Sequence, residues 1–293
     1  MADRIRWEGM VVVDKPAGLT SHDVVARLRR ISGQRRVGHA GTLDPLATGV
    51  LLVCLGRATR LIEYLVEQPK TYETRIRLGQ TTDSYDADGS VMDDRPVTAD
   101  QAAIAAALAP FRGPIAQIPP MYSAIKRDGQ PLYKLARQGK VVAREPRQVT
   151  IYELTLLGWE NPFLDLRIVS SAGTYIRSLA HDLGQALGCG GHVTALRRTA
   201  IGRFTAADAF SLSTLEQEAW PAALLPTDTV VAHLPRVDLS AAAAADIALG
   251  RRVQRAPGAA PPLVRAYDDE GQFIAILKPA ADDWQAHKVF LRS

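Results

Sequence analysis

Cysteine is scarce in this chain of 293 residues, which contains only Cys54 and Cys189. Neither belongs to a CxxC pattern or to a group of Cys and His with the spacing of metal ligands. The sequence therefore argues against a disulfide framework and against a zinc site, and we expect the protein to hold no metal. Cys54 lies inside the apolar run 50–55 and is predicted to be a small residue of the core.

Long apolar runs and nucleotide-binding glycine motifs are also absent. No stretch of about 18 consecutive apolar residues occurs, and residues 1–6 do not form the apolar region of a signal peptide. We therefore expect a cytoplasmic protein that does not bind a membrane. The glycine-rich segment 188–191 follows a predicted helix instead of opening one, and no GxGxxG or Walker motif occurs. We expect no cofactor.

The bulk composition is that of an ordinary globular protein. Hydrophobic residues make up 47% and charged residues 23% of the chain, and its length suits about two domains. The net charge of +4 is compatible with a polyanionic partner but does not require one. Arginines concentrate on both sides of residues 38–49, which suits a phosphate-bearing substrate, although a solvated charged face is the common alternative. They are Arg27, Arg29, Arg30, Arg35, Arg36, Arg57 and Arg60.

The segment 38–49 carries the strongest local signal. It reads GHAGTLDPLATG, with one carboxylate, Asp44, and it precedes the apolar run 50–55. This pattern predicts a tight loop that leads into a buried strand, so that Asp44 is partly desolvated and faces a cleft. A carboxylate in that position usually needs a cationic partner to stay ionised. The alternative is an ordinary turn, in which Asp44 caps the backbone and Pro45 makes it rigid.

Helix and strand signals alternate through the first two thirds of the chain. Thr20 or Ser21 is predicted to cap a helix that runs to about Ile31. A capping box at residues 98–101 is predicted to open a second helix that ends near Leu108. Periodic patterns predict the other elements, which are strands at 72–78, 149–157 and 163–169, a helix at 174–187, and a long excursion at 113–139.

The composition changes after a linker that is predicted near residues 232–236. A run of alanines follows at 241–245, and a stretch rich in proline and alanine occupies 256–262. Beyond residue 262, short apolar segments predict a small β-rich module. Those segments are 263–267, 273–277 and 289–291.

The loop around Asp44 resembles the signature of the TruB family of tRNA pseudouridine synthases. Seven further segments resemble other motifs of that family, in the family's order, and the similarity covers about residues 8 to 205. They are KPAGLTSHD at 15–23, KTY at 70–72 with RLG at 77–79, DADG at 86–89, PPMYSAIK at 119–126, LYKLARQG at 132–139, GTYIRSL at 173–179 and LRR at 196–198. Each segment is weak evidence alone, but the ordered set is very specific.

The resemblance implies an α+β fold. A pseudouridine synthase catalytic domain would occupy residues 1–232, with a mixed, largely antiparallel central sheet flanked by helices. An RNA-gripping insertion would lie at about 120–147. Residues 236–293 resemble, in a divergent form, the small β-rich PUA-like RNA-binding domain that ends many members of the family.

The resemblance also implies an activity. The expected enzyme isomerises uridine 55 in the T-arm loop of tRNA to pseudouridine, which breaks the N1–C1′ bond, turns the base and joins C5 to C1′. The reaction is redox-neutral and needs neither ATP nor a metal. A single catalytic aspartate would act on a base that has been flipped out of the RNA stack. The expected partner is the tRNA T-arm stem-loop, bound by a monomer that needs no protein partner.

Asp44 and Arg177 match the two charged residues of the family's site. Asp44 matches the essential carboxylate, which acts as a nucleophile or a base. Arg177 matches the arginine that pairs with it, lowers its pKa and fixes its direction. Independently of the resemblance, an arginine at a predicted helix start is unfavourable to the helix dipole, which favours a carboxylate partner. Lys15 and Pro16 match a family pair near the site and are predicted to be structural.

Four other positions match residues that contact the substrate. Tyr72 matches the aromatic residue that stacks on the target base, and Tyr175 and Leu196 match residues that line the uridine pocket. His39 matches the histidine that fills the gap left when the nucleotide leaves the stack. Without the resemblance, Tyr72 and Tyr175 would be interpreted as core aromatics, and His39 as a loop residue.

Three other functions stay open. The first is a guide-RNA-dependent synthase related to dyskerin. The absence of long basic tails and of an extended C-terminal region argues against it, and activity on naked tRNA would distinguish the two kinds of enzyme. The second is a tRNA-binding folding helper whose chemistry is incidental. An Asp44→Asn protein that still rescues tRNA folding would favour this function. The third is a carbohydrate hydrolase, but glycosidases normally need two carboxylates and the Asp44 motif offers one.

Overall fold

A computed structural model gives the positions of residues 7–127, 129–140 and 142–290, except for the side chains of residues 218 and 219. Residues 1–6, in which no signal region is predicted, lie outside the described residues. Residue 291, where the last predicted strand ends, also lies outside them.

The chain alternates strands with short helices. The strands are β1 (Gly9–Lys15), β2 (Val37–Ala40), β3 (Thr48–Leu55), β4 (Lys70–Leu78), β5 (Gln80–Thr82), β6 (Val91–Asp94), β7 (Gly113–Gln117), β8 (Lys126–Arg127), β9 (Gln130–Pro131), β10 (Arg147–Glu160), β11 (Phe163–Ser170), β12 (Gly191–Ile201), β13 (Phe204–Thr205), β14 (Phe210–Ser211), β15 (Arg236–Asp238), β16 (Val253–Gln254), β17 (Val264–Tyr267), β18 (Phe273–Ala280) and β19 (Asp283–Val289).

The α-helices are α1 (Ser21–Ser32), α2 (Ile62–Val66), α3 (Gln101–Leu108), α4 (Leu132–Ala136), α5 (Ile176–Ala186), α6 (Leu212–Thr214) and α7 (Ala241–Ala248). Short 3₁₀ turns occupy Gly56–Leu61, Ala109–Phe111, Ala206–Asp208 and Thr227–Val231, and a π-helical turn occupies Leu215–Ala219. Among the residues described, no helix is both long enough and apolar enough to cross a membrane.

Ten strands of the described chain form one central sheet. Its order is β14-β1-β3-β12-β4-β11-β10-β7, with β2 beside β3 and β13 beside β12. β1 runs parallel to β14, and β3 runs parallel to β12. The remaining neighbours are antiparallel. The sheet is therefore mixed and largely antiparallel, as the resemblance implies.

Hydrophobic clusters cover both faces of the central sheet at β1. Val11 and Val13 of β1 belong to a cluster that includes side chains of α1, α3 and α5. Met10 and Val12 belong to a second cluster that includes side chains of α2 and of the Thr227–Val231 turn. Successive side chains of a strand point to opposite faces, so this division follows from the alternation along β1.

The structure confirms the predicted cap of one helix and contradicts the predicted cap of another. Thr20 caps α1 and forms a capping box with Asp23, as one of the two predicted alternatives. α3 also begins close to the predicted position, but its cap is Asp100, whose side chain accepts a hydrogen bond of 2.8 Å from the Ala103 N–H. The capping box predicted from Thr98 is wrong, because Asp100 is itself a strong N-cap residue and stands directly before the helix.

The excursion predicted at 113–139 contains more regular structure than its composition indicates. β7 is the edge strand of the central sheet and pairs with β10. The hairpin of β8 and β9 and the helix α4 follow it. The pairing partner of β7 lies beyond the excursion in the sequence, which explains why the local pattern does not reveal this strand.

A second sheet follows the linker, in the order β15-β17-β18-β19-β16. The alanine run forms α7, which packs on this sheet in a third hydrophobic cluster. The last strand, predicted at 289–291, is wrong in position, since β19 covers Asp283–Val289. The second sheet also meets the first part of the chain, because Ile276 and Phe290 share a cluster with α2.

Candidate active site

Asp44 lies in the loop 41–47, which joins β2 to β3 in the central sheet. Its side chain keeps 34% of its surface exposed, and its Oδ1 accepts a hydrogen bond of 2.9 Å from Nη2 of Arg177. The Arg177 side chain is only 5% exposed. The pair therefore presents a carboxylate to the solvent and holds it from behind with a buried cation.

Arg177 contacts four acceptors. Nη2 also donates to the Tyr122 carbonyl at 2.8 Å, and Nη1 donates to the Ser84 carbonyl at 3.1 Å. Nη1 lies 3.3 Å from Oδ2 of Asp86, whose side chain is 6% exposed. Two carboxylates thus share one guanidinium, and only Asp44 is open to a ligand.

Burial and the neighbouring charges together set the pKa of the Asp44 carboxyl. Burial raises the pKa of the Asp44 carboxyl above its ordinary value, and this effect exceeds the lowering by Arg177. The carboxylate of Asp86 raises the pKa of Asp44 further. Asp44 therefore takes up a proton at a higher pH than an exposed aspartate does.

The start of α5 places Arg177. Tyr175 is the N-cap residue, and its N–H donates to Oε1 of Gln117 at 2.8 Å, while Nε2 of Gln117 donates to the Tyr175 carbonyl at 2.9 Å. Ser178 Oγ donates to the Ile118 carbonyl at 2.7 Å. These bonds fasten the first turn of α5 to the end of β7. The cost of a positive side chain near a helix N-terminus is offset by the two carboxylates.

A second buried arginine lies beneath the loop. Arg198 of β12 is 1% exposed and donates to three carbonyls: Val50 at 2.8 Å, Gly41 at 3.0 Å and Thr42 at 3.4 Å. The Tyr72 hydroxyl also lies within interaction distance of this guanidinium. Arg198 therefore joins the loop that carries Asp44 to β4 and β12.

Further contacts hold the rest of the loop. Ser21 Oγ accepts from the Leu43 N–H at 2.8 Å and donates to the Leu43 carbonyl at 3.2 Å. Nζ of Lys15 donates to the carbonyls of Leu19 at 2.7 Å and Pro45 at 3.4 Å. Burial lowers the pKa of Lys15 to about 8. Lys15 thus acts on the backbone, in keeping with the structural role predicted for it.

Only glycine fits at residue 49, where the loop enters β3. Gly49 has a φ of +100°, and a Cβ at this position would lie 2.2 Å from the Arg198 carbonyl oxygen. The close approach lets β3 and β12 pair directly beside the loop.

Replacing Arg198 with Met should loosen the loop. Three carbonyls would lose their donor, so we expect the free energy of unfolding to fall by about 2–3 kcal/mol. The Leu43 amide should exchange its hydrogen faster. Urea unfolding and hydrogen exchange measure these effects.

The matched control for this prediction is Arg197→Met. Arg197 is the neighbouring residue, its side chain is 39% exposed, and it pairs with Asp14 at 2.8 Å. Removing such a surface pair should change stability by less than about 1 kcal/mol. Equal stability of the Arg198→Met and Arg197→Met proteins would contradict the role of Arg198.

Tyr72 and Leu196 lie on the neighbouring strands β4 and β12. Tyr72 is 9% exposed and faces Arg198 in the strand register, while Leu196 is 8% exposed and faces Thr74. Leu196 also lines an open groove of about 660 Å³, together with Leu46 of the Asp44 loop. The groove brings the surface of β12 next to the loop.

His39 lies on β2, immediately before the loop. Its ring contacts the ring of His22, with centroids 5.5 Å apart and planes at 81°. Burial lowers the pKa of His39 to about 4, and His22 and Arg198 lower it further, so the ring is neutral at pH 7. In the described parts of the chain, no group of three or more His, Cys, Asp or Glu side chains is arranged to hold a metal ion.

Tyr175 connects α5 to the predicted insertion. Its ring is half-buried, and its hydroxyl lies beside Ser123. Burial raises the pKa of the Tyr175 phenol. With the Arg177–Tyr122 bond, this contact makes residues 122 and 123 part of the site's wall.

Sequence reasoning missed Asp86 and Arg198, although both occur in motifs that it identified. The Asp44 motif offers one carboxylate, but the folded site contains two. Asp86 cannot act as the second acid of a glycosidase, because its 6% exposed side chain is turned to Arg177 and not to a ligand. The sequence offered one signal for Asp86. Arg177 is predicted at a helix start, where a positive charge is unfavourable, and such a cation needs carboxylates nearby.

The predicted basic rim is largely paired within the protein. Arg27 and Arg30 pair with Glu216, at 3.5 Å and 3.3 Å. Three other arginines have partners inside the chain: Arg29 with the Val37 carbonyl, Arg57 with Glu8 and Arg60 with the Val289 carbonyl. Arg35 and Arg36 are exposed. Five of the seven arginines of the predicted rim therefore already have a partner within the protein.

Three family models match successive parts of the chain. The model described as TruB family pseudouridylate synthase (N terminal domain) matches residues 29–176. The model described as tRNA pseudouridylate synthase B C-terminal domain matches residues 177–232, and that described as tRNA pseudouridine synthase II, C terminal, matches residues 234–291.

Curated relatives are similar over nearly the whole chain. The tRNA pseudouridine synthase B of Cupriavidus metallidurans is 45% identical, over 92% of this chain and 90% of its own. The protein of the same name from Pseudomonas fluorescens is 47% identical, over 97% of this chain and 96% of its own.

Solved structures share the fold. A chain of an H/ACA ribonucleoprotein bound to a substrate RNA containing 2′-deoxyuridine has a TM-score of 0.74 and 26% identity, over 97% of this chain and 85% of that one. A chain of the archaeal box H/ACA Nop10–Cbf5 complex has a TM-score of 0.73 and 27% identity, over 97% and 86%. The similarity therefore includes both sheets.

Proposed function

This chain belongs to the TruB family of pseudouridylate synthases, and we propose that it converts uridine 55 in the T-arm loop of tRNA to pseudouridine. Membership of the family makes it an isomerase that forms pseudouridine in tRNA. The choice of uridine 55 and the use of a single catalytic aspartate are our proposals.

The observation that carries the proposal is the ion pair of Asp44 with Arg177. A carboxylate that is 34% exposed, in a loop tied down at residues 41, 42, 43 and 45, is held by an arginine that is 5% exposed. Such a pair can present one ionised carboxylate to a substrate in a fixed direction.

The chemistry needs little more than this carboxylate. The N1–C1′ bond breaks, C5 joins C1′, the proton on C5 leaves, and N1 takes up a proton. We assign Asp44 as the nucleophile or base of these steps. Arg177 keeps it directed, and Asp86 and the Ser84 carbonyl fix Arg177 from the other side.

The target base would leave the RNA stack and enter the space between β4, β12 and the loop. We assign Tyr72 to the face of the base, and Leu196 and Tyr175 to its edges. His39, neutral at pH 7, would enter the RNA where the nucleotide has left. Tyr72 is 9% exposed in the protein without RNA.

Substitutions of Tyr72 test the flipped base. Tyr72→Leu removes the flat face, so we expect the single-turnover rate to fall by about tenfold or more, because stacking is worth about 1–3 kcal/mol per base. Tyr72→Phe keeps the ring and should lose less. A stem-loop with 2-aminopurine beside the target should become fluorescent on binding. A wild-type rate for Tyr72→Leu, or a reporter that stays quenched with active protein, would refute the flipped base.

We further propose that the chain divides into a pseudouridine synthase catalytic domain at residues 1–232 and a divergent PUA-like RNA-binding domain at residues 236–293. The second sheet has its own hydrophobic cluster and its own helix, which supports this division. The insertion at about 120–147 would close on the T-arm, and the exposed Arg35 and Arg36 would contact phosphates. The protein would act as a monomer.

A guide-dependent synthase is the second candidate, because the solved structures named above are H/ACA complexes. The two candidates differ in what they need. A stand-alone enzyme modifies tRNA with no added RNA or protein, whereas a guide-dependent one does not.

The deciding experiment incubates the purified protein with an unmodified tRNA transcript and maps pseudouridine at single-nucleotide resolution. The proposal expects one modified position, uridine 55, without any other component. Modification of another uridine would overturn the assigned position. Modification only after a guide RNA is added would favour the second candidate.

A further inference from the structure

A turn at residues 83–88 holds one side of Arg177. The Ser84 carbonyl and the Asp86 carboxylate both face Nη1, at 3.1 Å and 3.3 Å. Between them, Tyr85 has a φ of +65°. This left-handed backbone is unfavourable for a residue with a Cβ, but it lets the residues on both sides of Tyr85 point at the same nitrogen. The conformation therefore needs contacts that hold it.

Two backbone bonds dock the turn on β12. The Val193 N–H donates to the Tyr85 carbonyl at 3.1 Å, and the Ala87 N–H donates to the Val193 carbonyl at 2.9 Å. They fix the distance of the turn from β12. They do not tie it to α5, the helix that carries Arg177.

The Tyr85 ring makes that second connection by stacking on His181. The ring centroids are 3.9 Å apart, and the planes differ by 14°. His181 comes four residues after Arg177 in α5, so the two side chains lie on the same face, one turn apart. Burial lowers the pKa of His181, and Arg144 lowers it further, which favours the neutral ring. Among the described residues, the buried Nδ1 of His181 has no hydrogen-bond partner.

We propose that Tyr85 and His181 are positioning residues, whose stack locks the turn to α5 and so sets the direction of Arg177 against Asp44. The proposal rests on the proposed function, since its effect is observed through Asp44. Without either ring, the turn can relax from the left-handed conformation, and Ser84 and Asp86 move away from Nη1. Arg177 keeps its charge, but the hydrogen bond from Nη2 to Asp44 loses its fixed geometry.

The test compares the single-turnover rate at saturating protein with the Kd for a T-arm stem-loop. His181→Ala and Tyr85→Leu remove one ring each, and His181→Phe and Tyr85→Phe keep a flat ring. Gln185→Ala is the matched control, because Gln185 is exposed on α5 one turn further on. Thermal melting measures the folding of every variant. The Asp44→Asn protein serves as the inactive reference, and it sets the background of the rate measurement.

We expect His181→Ala and Tyr85→Leu to lower the single-turnover rate by about 10- to 100-fold, with Kd changed less than about threefold. Both Phe variants and Gln185→Ala should stay within about threefold of wild type. The double variant should be no slower than either single variant, because the two rings act as one unit.

Three results would overturn the positioning role: a wild-type rate in both ring-removing variants, no rescue by Phe, or a rate loss that matches a loss of folded protein. If His181→Ala does not fold, Tyr85→Leu decides by the same criteria. An inactive wild-type protein would instead contradict the proposed function, so the two failures are distinct.

Discussion

Asp44→Asn is expected to abolish pseudouridine formation while leaving the affinity for tRNA within about tenfold of wild type, or about 1.4 kcal/mol. The amide has nearly the same shape, so loop 41–47 and its bonds to Arg198, Ser21 and Lys15 should persist. It has no negative charge and cannot serve as a carboxylate nucleophile or base. Mapping of pseudouridine and filter binding measure the two effects.

The matched control is Asp88→Asn, which changes an exposed carboxylate two residues after Asp86. It should retain wild-type activity. Substantial turnover by Asp44→Asn would remove Asp44 from the mechanism, and a large loss of affinity would make it a binding residue.

The acid side of the pH profile gives a further check on the same residue. Only ionised Asp44 is active in this scheme, and burial raises the pKa of its carboxyl above the ordinary 3.8. The single-turnover rate should therefore fall as the pH is lowered, and its midpoint should lie above 3.8.

Arg177→Met should have the largest effect on stability, because it leaves Asp86 as a buried charge with no cation beside it. Breaking a buried pair in this way costs about 3–5 kcal/mol of the free energy of unfolding. Activity should be lost as well. Arg177→Lys keeps the charge, but one ammonium cannot reach Asp44, Asp86 and two carbonyls together, so we expect a rate loss of about 100-fold or more.

The double variant Arg177→Met with Asp86→Leu separates the two effects. It removes the unpaired buried charge, so much of the stability should return, but no activity should return, because Asp44 still lacks its arginine. Urea unfolding and single-turnover assays give both quantities. A double variant that recovers activity would show that Arg177 serves only to neutralise Asp86.

The elements that support the site could be predicted because their signals are local. The alternation of buried residues from Tyr72 to Leu78 gives β4, and the cap at Thr20 gives α1. Of the segment 38–49 that is predicted as a loop, residues 41–47 form one, whereas residues 38–40 belong to β2 and residues 48–49 to β3. Each of these signals lies within a few residues of the element that it predicts.

The contacts that complete the site could not be predicted from such signals. Arg177 meets Asp44 across 133 positions of sequence and the Ser84 carbonyl across 93. Arg198 was missed because arginine is mostly exposed, and nothing local shows that three loop carbonyls lie above it. The resemblance supplied the partner of Asp44, but not the turn that holds Arg177.

One strand of the C-terminal sheet also could not be predicted from local signals. β19 contains Asp283, Gln285 and His287, so its hydrophobic pattern is weak, and it is a strand because β18 and β16 pair with it. Conversely, the alanine run at 241–245 forms a helix, as the high helix propensity of alanine and the cap at Ser240 favour.

Release of tritium from C5 of uridine 55 tests the central claim most directly, since C5 loses its hydrogen when it bonds to C1′. A T-arm stem-loop that carries tritium only at that position is mixed with excess protein and no other component. We predict release of the label from wild type in a single turnover and none from Asp44→Asn. Retention of the label by wild type, or its release by Asp44→Asn at a comparable rate, would contradict the claim that Asp44 carries out this isomerisation.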